Sequence, residues 1–567
     1  MMNRYVLQLF AGAGATLVLL AGCGGSDDPE PTVPQLGAAS GATLQSCSTL
    51  PTQITYANTT IAAASAVAAG TVSVGGNPTP AHCLVTGQMF QRTSAVDGQN
   101  YAIGFEMRLP NAWNGRFFYQ ANGGTDGSVV TATGPAGPAA IDSALNQGLA
   151  VISTDAGHNA SQNATFGVDP QARLDYGYQA VGKLTPMAKS VIQTAYGKGP
   201  DRSYIGGCSN GGRHTMVAAA RYADQYDGYL VGDPGFNLPK AATANIAGAQ
   251  AYAALATNPA DLSTGFTQPE RALVSNAVLA KCDALDGATD GLVQDTQACQ
   301  AAFSLATDVP TCAGARDGTC LSAAQKTTIA QLFAGAKTST GNTIYSSWPY
   351  DAGLATGGWA FWKFTVPLIL DSGAVGVIFQ VPPADPATFN GPAFTLGANV
   401  DTLVANINAT NATYTESAMS FMTPPNPSNL GTLKNRGAKM LIYHGTSDPI
   451  FSSNDTAAFY ENLRAANGGD ASNFARYFAV PGMNHCAGGP ATDQFDMLTP
   501  LVNWVEKGQA PDQVIASARG AGNPAGANAD VPASWSPTRT RPLCPYPKVA
   551  KYKGTGDIES AASFTCQ

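Results

Sequence analysis

Gly207-Cys208-Ser209-Asn210-Gly211 sets a serine between two glycines, the G-x-S-x-G arrangement that raises a nucleophile on a strained strand-to-helix turn. Side chains at the glycine positions would block the close packing of that turn. Ser203-Tyr204-Ile205-Gly206 before it reads as a strand and Arg213 to Tyr226 after it as a helix. The backbone N–H of Asn210 would then point at a developing oxyanion, aided by the helix N-terminus. Such a serine needs a base and an acid, in the chain order serine, acid, histidine. Of the five histidines, His444 and His485 lie downstream behind strand-like runs. His485, in Val480-Pro481-Gly482-Met483-Asn484-His485-Cys486, occupies a glycine-containing loop and fits the general base. His444 ends an apolar strand and reads as a hydrogen-bonded core residue; His158 precedes the serine and reads as loop packing. Asp448, just past the strand Ala438 to Tyr443, fits the acid, whereas Asp455 and Asp496 sit in helix-like stretches where exposed acids are ordinary. In acyl transfer His485 would take the proton of Ser209 and return it to the leaving alcohol, with Asp448 fixing the imidazole tautomer.

Cys208 immediately precedes this serine and Cys486 immediately follows this histidine. If Ser209 and His485 meet, the two sulfurs approach as well, and a disulfide there would fix the geometry of both. The chain has 11 cysteines and no CxxC pair, which argues for disulfides in an exported protein over a thiolate metal site. The N-terminus agrees. Arg4 precedes an apolar stretch, Tyr5 to Leu20, too short to span a bilayer with ease, and Leu20-Ala21-Gly22-Cys23 resembles the lipobox of bacterial lipoproteins. Residues 1–22 are expected to be a lipoprotein-type signal peptide, Cys23 the lipidated residue, and residues 23–44, rich in Gly, Pro, Asp and Ser, a flexible tether. Ordinary signal cleavage near Ala21 is the alternative. With Cys23 set aside, ten cysteines remain, enough for five bridges. The expected location is the outer membrane, periplasmic or extracellular, with membrane contact only through the lipid.

The elements that must position these residues follow a βα rhythm. Over residues 45–235 short apolar runs such as Gly148 to Thr154 alternate with helical patterns, as in α/β proteins. Between 236 and 429 the rhythm fades into Ala, Thr, Asn, Gly and Pro, and it resumes over 430–567. We expect an α/β-hydrolase fold in two sequence pieces with residues 236–429 inserted as a lid domain, lids of this kind covering a site and setting its substrate choice. Hydrophobic residues make up 44% of the 567 and charged residues 12%, enough apolar content for a large core. The net charge is −8 with no Lys/Arg cluster, which sets nucleic-acid partners aside.

Cys208-Ser209, Asp448 and His485-Cys486 together resemble the signature of the tannase and feruloyl esterase family. The resemblance runs from about Cys47 to Cys566 and includes Trp113-Asn114-Gly115-Arg116-Phe117-Phe118 and Gly167-Val168-Asp169-Pro170-Gln171-Ala172-Arg173. Thr540-Arg541-Pro542-Leu543-Cys544-Pro545-Tyr546-Pro547 is most similar to the mono(2-hydroxyethyl) terephthalate hydrolase branch. The resemblance implies esters of aromatic acids as small-molecule substrates, Gly124 as the second oxyanion donor, and the bridges Cys47–Cys83, Cys282–Cys299, Cys312–Cys320 and Cys544–Cys566.

Two features of the lid bear on ligands. Asp283-Ala284-Leu285-Asp286-Gly287-Ala288-Thr289-Asp290-Gly291-Leu292 places three carboxylates in a short glycine-containing stretch, suited to Ca²⁺. It departs from the EF-hand spacing, and by its residues alone reads equally as a polar turn. The resemblance implies a structural Ca²⁺ held by the side chains of Asp283, Asp286 and Asp290 and the carbonyls of Ala288 and Leu292. Trp359, Trp362, Phe364 and Phe451 suit the walls of an aromatic pocket or the core, and the resemblance selects Trp362 and Phe451. Relatives acting on the terephthalate half-ester hold its free carboxylate with a lid arginine, but no arginine lies between Arg316 and Arg436. Lys363 is the substitute cation beside the aromatic cluster; its alternative is a solvated lysine covering apolar lid surface.

A serine ester hydrolase accounts for the turn, the order of the three residues, the paired cysteines and the export signals. A serine peptidase would use the same three residues, and a catalytically inactive binding lipoprotein of the same fold would have no need to keep them.

Overall fold

A computed structural model describes residues 33–567. The signal peptide 1–22, Cys23 and the first part of the tether lie outside the described residues.

Strands buried on both faces need near-continuous apolar runs, and strands with alternating exposure line the sheet edge. Nine strands form one mixed sheet: β1 (Thr59–Val67), β2 (His82–Thr93), β3 (Asn100–Pro110), β4 (Arg116–Gln120), β5 (Ala150–Thr154), β6 (Arg202–Cys208), β7 (Gly228–Gly232), β8 (Lys439–Gly445) and β9 (Ala475–Val480). Their spatial order is β9-β8-β7-β6-β4-β5-β3-β2-β1. The six from β9 to β5 run parallel, and β3, β2 and β1 close the edge antiparallel. Side chains alternate between the faces. Phe117, Tyr119, Ile152, Ile205, Val231, Met440 and Ile442 pack on one face with α1 (Ala180–Tyr196); Phe118, Val151, Tyr204, Leu230, Leu441 and Tyr443 pack on the other against Leu498 and Leu501 of the helix Leu498–Lys507. This is an α/β-hydrolase fold.

β7 and β8 are sheet neighbours, yet residues 233–438 run between them. That stretch is helical, starting with Leu238–Leu255 and Gln268–Cys282, and contributes no strand to the sheet. Chain after β9 forms two small ladders, Val514–Ser517 with Thr540–Leu543 and Ala550–Tyr552 with Phe564–Cys566.

The end of the tether differs from its expectation. Gln35 Nε2 donates to Val505 O at 2.7 Å, Ala39 N to Glu506 Oε2 at 3.0 Å and Ser40 N to Asp201 Oδ2 at 2.8 Å, and Ala42–Thr43 pairs with Ala112–Trp113. Its composition reads as loose, but its polar backbone groups find partners on the core that composition does not reveal.

Five disulfides join Cys47–Cys83, Cys208–Cys486, Cys282–Cys299, Cys312–Cys320 and Cys544–Cys566.

Candidate active site

The serine stands where β6 turns into α2 (Asn210–Arg221), with φ +65° and ψ −127°. This sparsely populated conformation is held from both sides: Ser209 N donates to Gly232 O on β7 at 3.0 Å, and Arg213 N to Ser209 O at 3.0 Å. The flanking glycines are required by proximity. A Cβ on Gly207 would sit 2.2 Å from Ala121 O, and one on Gly211 2.3 Å from the same atom. Asn210 is the first helical residue, so its N–H has no intrahelical acceptor. The loop after β4 passes beside the serine, with Gly123 closest and Gly124 following at φ +64°.

Two loops at the same sheet edge supply the partners. Asp448 follows β8 and His485 follows β9. His485 Nε2 lies 2.8 Å from Ser209 Oγ, and His485 Nδ1 lies 2.7 Å from Asp448 Oδ2. The other oxygen of Asp448 accepts from Ile450 N at 2.8 Å and Phe451 N at 3.0 Å, which orients the carboxylate. Burial opposes ionisation of Asp448, but His485 and His444 hold its carboxyl well below the usual carboxylate range. The Cys208–Cys486 bridge ties the serine turn directly to the loop carrying His485, and Cys486, like Ser209, has positive φ, at +58°. Asp455 and Asp496 are engaged elsewhere: Asp455, mostly buried rather than exposed, accepts from Asn237 Nδ2 at 3.0 Å, and Asp496 caps Leu498 N at 2.8 Å. His158 stacks on Phe166, centroids 3.7 Å apart.

Three further side chains stand beside these residues, and of them only His444 was marked by the sequence, as a hydrogen-bonded core residue. His444 is fully buried, as a core residue should be, but its Nε2 is also 3.3 Å from Asp448 Oδ2. Asp233, just after β7, accepts from Gly445 N at 2.7 Å, and burial pushes its carboxyl up to about 6. His214 meets Asp126 of the loop after Gly124 at 2.8 Å. The signal available for His214 was its place one helical turn beyond Asn210.

The inserted helical stretch packs on this edge. Gly353 N donates to Ser447 Oγ at 3.0 Å and Asn484 Nδ2 to Thr356 Oγ1 at 2.7 Å, so the loops carrying Asp448 and His485 both touch the same lid stretch. Trp362 and Phe451 stand edge-on to the His485 ring, centroids at 4.8 and 5.3 Å. Lys363 goes elsewhere. A cleft lined by Asn122, Gly123, Asp126, Val130, Pro138 and Cys486 opens on Ser209, and Lys363 does not line it. Its ammonium instead lies 3.4 Å from the centre of the Trp348 ring, in a cavity bounded by Tyr252, Trp359 and Asp448. Burial pushes its pKa down to about 7 against the pull of Asp448 and Asp371. The helical twist between neighbouring positions sends Trp362 and Lys363 in different directions.

The acidic loop of the lid docks on the C-terminal ladders. Ala288 packs with Cys544, Ala550 and Phe564, and Leu292 with Trp535. Asp290 is ion-paired with Arg541, and Asp283 Oδ1 accepts from Asp290 N at 2.9 Å and Gly291 N at 3.1 Å. Asp286 Oδ2 is buried without a hydrogen-bond partner, and burial with the nearby Asp290 and Asp283 pushes that carboxyl up to about 7. An oxygen left in this state suits a hard cation. Among the described residues, the side-chain triplets whose ligand atoms converge within 4.8 Å are Cys208, Asp233, Cys486 and Asp233, His444, Asp448; neither is in this loop.

Comparison with known proteins agrees with this architecture. The family model described as tannase and feruloyl esterase matches residues 83–567. The chain is 40% identical over 535 residues to the mono(2-hydroxyethyl) terephthalate hydrolase of Piscinibacter sakaiensis, covering 86% of this chain and 85% of that one. It is 28% identical over 512 residues to a probable feruloyl esterase B of Emericella nidulans, covering 85% and 87%. The crystal structure of feruloyl esterase B from Aspergillus oryzae superposes with a TM-score of 0.73 at 24% identity, covering 92% of this chain and 99% of that one. The chain belongs to the tannase and feruloyl esterase family and is a carboxylic ester hydrolase.

Proposed function

We propose that the chain hydrolyses esters of aromatic acids through an acyl-enzyme on Ser209, with His485 as general base and acid, Asp448 as its orienting acid, and the N–H groups of Gly124 and Asn210 as oxyanion donors. The observation that carries this reading is the pair of contacts at His485, 2.8 Å to Ser209 Oγ and 2.7 Å to Asp448 Oδ2. His485 takes the Ser209 proton as Oγ attacks the ester carbonyl; the tetrahedral oxyanion collapses as His485 protonates the leaving alcohol; water repeats the sequence on the acyl-enzyme. Trp362 and Phe451 offer aromatic edges beside His485 for the acyl ring. Ser209→Ala is the test: a fold retained by circular dichroism with kcat reduced by several powers of ten supports the reading. Retention of more than about a tenth of kcat, a loss of only roughly 1.4 kcal/mol, overturns it.

Between residues 338 and 433 the only Lys or Arg is Lys363, and its ammonium sits over the Trp348 ring in a cavity bounded by Asp448. This favours acyl groups without a distal carboxylate, such as ferulate- or gallate-type rings. The 40% identity to a terephthalate half-ester hydrolase favours a second reading, a terephthalate half-ester as substrate. Comparing kcat/KM for methyl ferulate, methyl gallate and mono(2-hydroxyethyl) terephthalate decides between them.

Ca²⁺ in the loop 283–292, held by Asp283, Asp286 and Asp290 with the carbonyls of Ala288 and Leu292, would be structural, pinning the lid to the C-terminal ladders. The unpartnered oxygen of Asp286 supports it. Five disulfides support export to an oxidising compartment, and the Leu20-Ala21-Gly22-Cys23 sequence supports a lipid anchor at Cys23, which Cys23→Ser would release from the membrane fraction.

A further inference from the structure

The two oxyanion donors belong to different parts of the fold: Gly124 to the loop after β4, Asn210 to the first turn of α2. The β4–β6 ladder ends at Gln120 and Gly206, with Ala121 N donating to Gly206 O at 2.9 Å, four residues short of either donor, so contacts beyond the ladder must set their separation. Asp126, two residues past Gly124, has φ +56°, a conformation L-residues rarely adopt, and its side chain is 1% exposed. Its Oδ2 accepts from His214 Nε2 at 2.8 Å and from Asn210 Nδ2 at 2.8 Å. Both partners stand on α2, one helical turn apart, so a single carboxylate oxygen clamps the loop to the first turn of the helix. Arg213 completes the cluster: Nε donates to Asn210 Oδ1 at 2.6 Å, Nη1 to Gly177 O at 2.7 Å and Nη2 to Tyr176 O at 3.0 Å. Arg213 Nη2 also lies against the His214 ring, 3.2 Å from Nδ1 and 3.1 Å from Nε2. Burial and the Arg213 charge push the His214 pKa down against the pull of Asp126. None of these side chains belongs to the Ser209–His485–Asp448 relay.

We propose that the buried Asp126–His214 pair is a positioning device for the oxyanion hole, setting the distance between the Gly124 and Asn210 donors, so that its loss weakens binding of the tetrahedral intermediate and leaves binding of the ground state intact. The proposal rests on the reading of Ser209 and its oxyanion donors given above. A donor misplaced by a fraction of an ångström loses transition-state stabilisation selectively, because substrate carbonyl and product acid depend little on that hole.

The test compares Asp126→Ala, His214→Ala and Asp126→Asn. An asparagine oxygen can accept both hydrogen bonds, so the last variant keeps the clamp without the charge. The readouts are kcat, KM, the Ki of the aromatic acid product, and the Ki of an arylboronic acid, whose boron adds Ser209 Oγ to form a tetrahedral anion. The expected result for both alanine variants is a kcat lower by about 10- to 100-fold, below the roughly 10²- to 10³-fold loss on removing a whole donor. KM and product Ki should stay within about twofold, and boronate affinity should fall by the same factor as kcat/KM. Asp126→Asn should restore kcat to within about fivefold of the wild type. If an alanine variant does not fold, His214→Leu fills the same space without a donor and carries the comparison. A kcat loss with boronate affinity unchanged, equal weakening of boronate and product, no kcat loss, or Asp126→Asn as impaired as Asp126→Ala would each overturn the proposal. Failure of the underlying reading shows separately, as a wild-type enzyme that the boronate does not inhibit.

Discussion

His444 reaches the same oxygen of Asp448 that His485 uses: its Nε2 lies 3.3 Å from Asp448 Oδ2, against 2.7 Å for His485 Nδ1. The remaining neighbours of that nitrogen, Phe451 O at 3.1 Å and Asp233 Oδ1 at 3.8 Å, are acceptors too, so Nε2 carries a proton. Thr456 Oγ1 holds the opposite ring nitrogen at 2.8 Å. A buried imidazole thus holds the Asp448 carboxylate alongside His485.

His444→Leu should therefore lower kcat by about 10- to 100-fold with little change in KM, since a hydrogen bond to a charged group is worth roughly 1.5–3 kcal/mol. Steady-state kinetics on a neutral aryl ester at pH 7.5 check this. A kcat within twofold of the wild type would make His444 a core residue and nothing more.

Cys208 and Cys486 are 278 residues apart in sequence, and their bridge joins the serine turn to the histidine loop. Replacing both with Ala should cost up to ~5 kcal/mol of stability by the loop-entropy relation and lower kcat as well. Denaturant midpoints and kcat, measured together, check whether the two losses coincide. A non-reduced peptide digest that shows either cysteine as a free thiol removes the basis of the expectation.

Chelation with EGTA should lower Tm by several degrees while leaving KM for a small aryl ester unchanged, because the loop 283–292 sits against the C-terminal ladders. A ligand held at a hundred times its Kd stabilises the native state by about 2.7 kcal/mol. Calcium should restore the transition and Asp286→Ala should abolish the response. An EGTA-insensitive Tm in the wild type counts against the site.

Lys363 has its pKa pushed down to about 7 by burial, below the unfolded value of roughly 10.4. A group whose folded value is depressed in this way costs most stability when both states are protonated, below about pH 7. The cost fades as pH rises toward the unfolded value. Lys363→Met should therefore stabilise the protein more at pH 6 than at pH 9, as read by denaturant unfolding at each pH. The same variant should change KM equally for a carboxylate-bearing half-ester and its neutral methyl ester. A selective loss on the half-ester would return Lys363 to the substrate site.

The residues that meet at the candidate site were legible in the chain itself. A nucleophile turn requires glycine wherever backbone passes within van der Waals distance, so Gly207 and Gly211 mark Ser209 without any coordinates. Loops after apolar runs mark Asp448 and His485, and cysteines flanking the serine and the histidine point to a bridge. The α/β rhythm and its interruption likewise follow from hydrophobic periodicity, a local property. What the sequence left open depends on which distant groups meet. Asp126 reads as one acid in a glycine-rich loop until folding sets it against His214, 88 residues later. Lys363 reads as a neighbour of Trp362, and only the helix geometry of the lid turns one toward His485 and the other toward Trp348. His444 and residues 35–43 show the same limit: a buried hydrogen bond is decided by the partner's position in space, whether the partner is four residues away, as Asp448 is from His444, or 470, as Val505 is from Gln35.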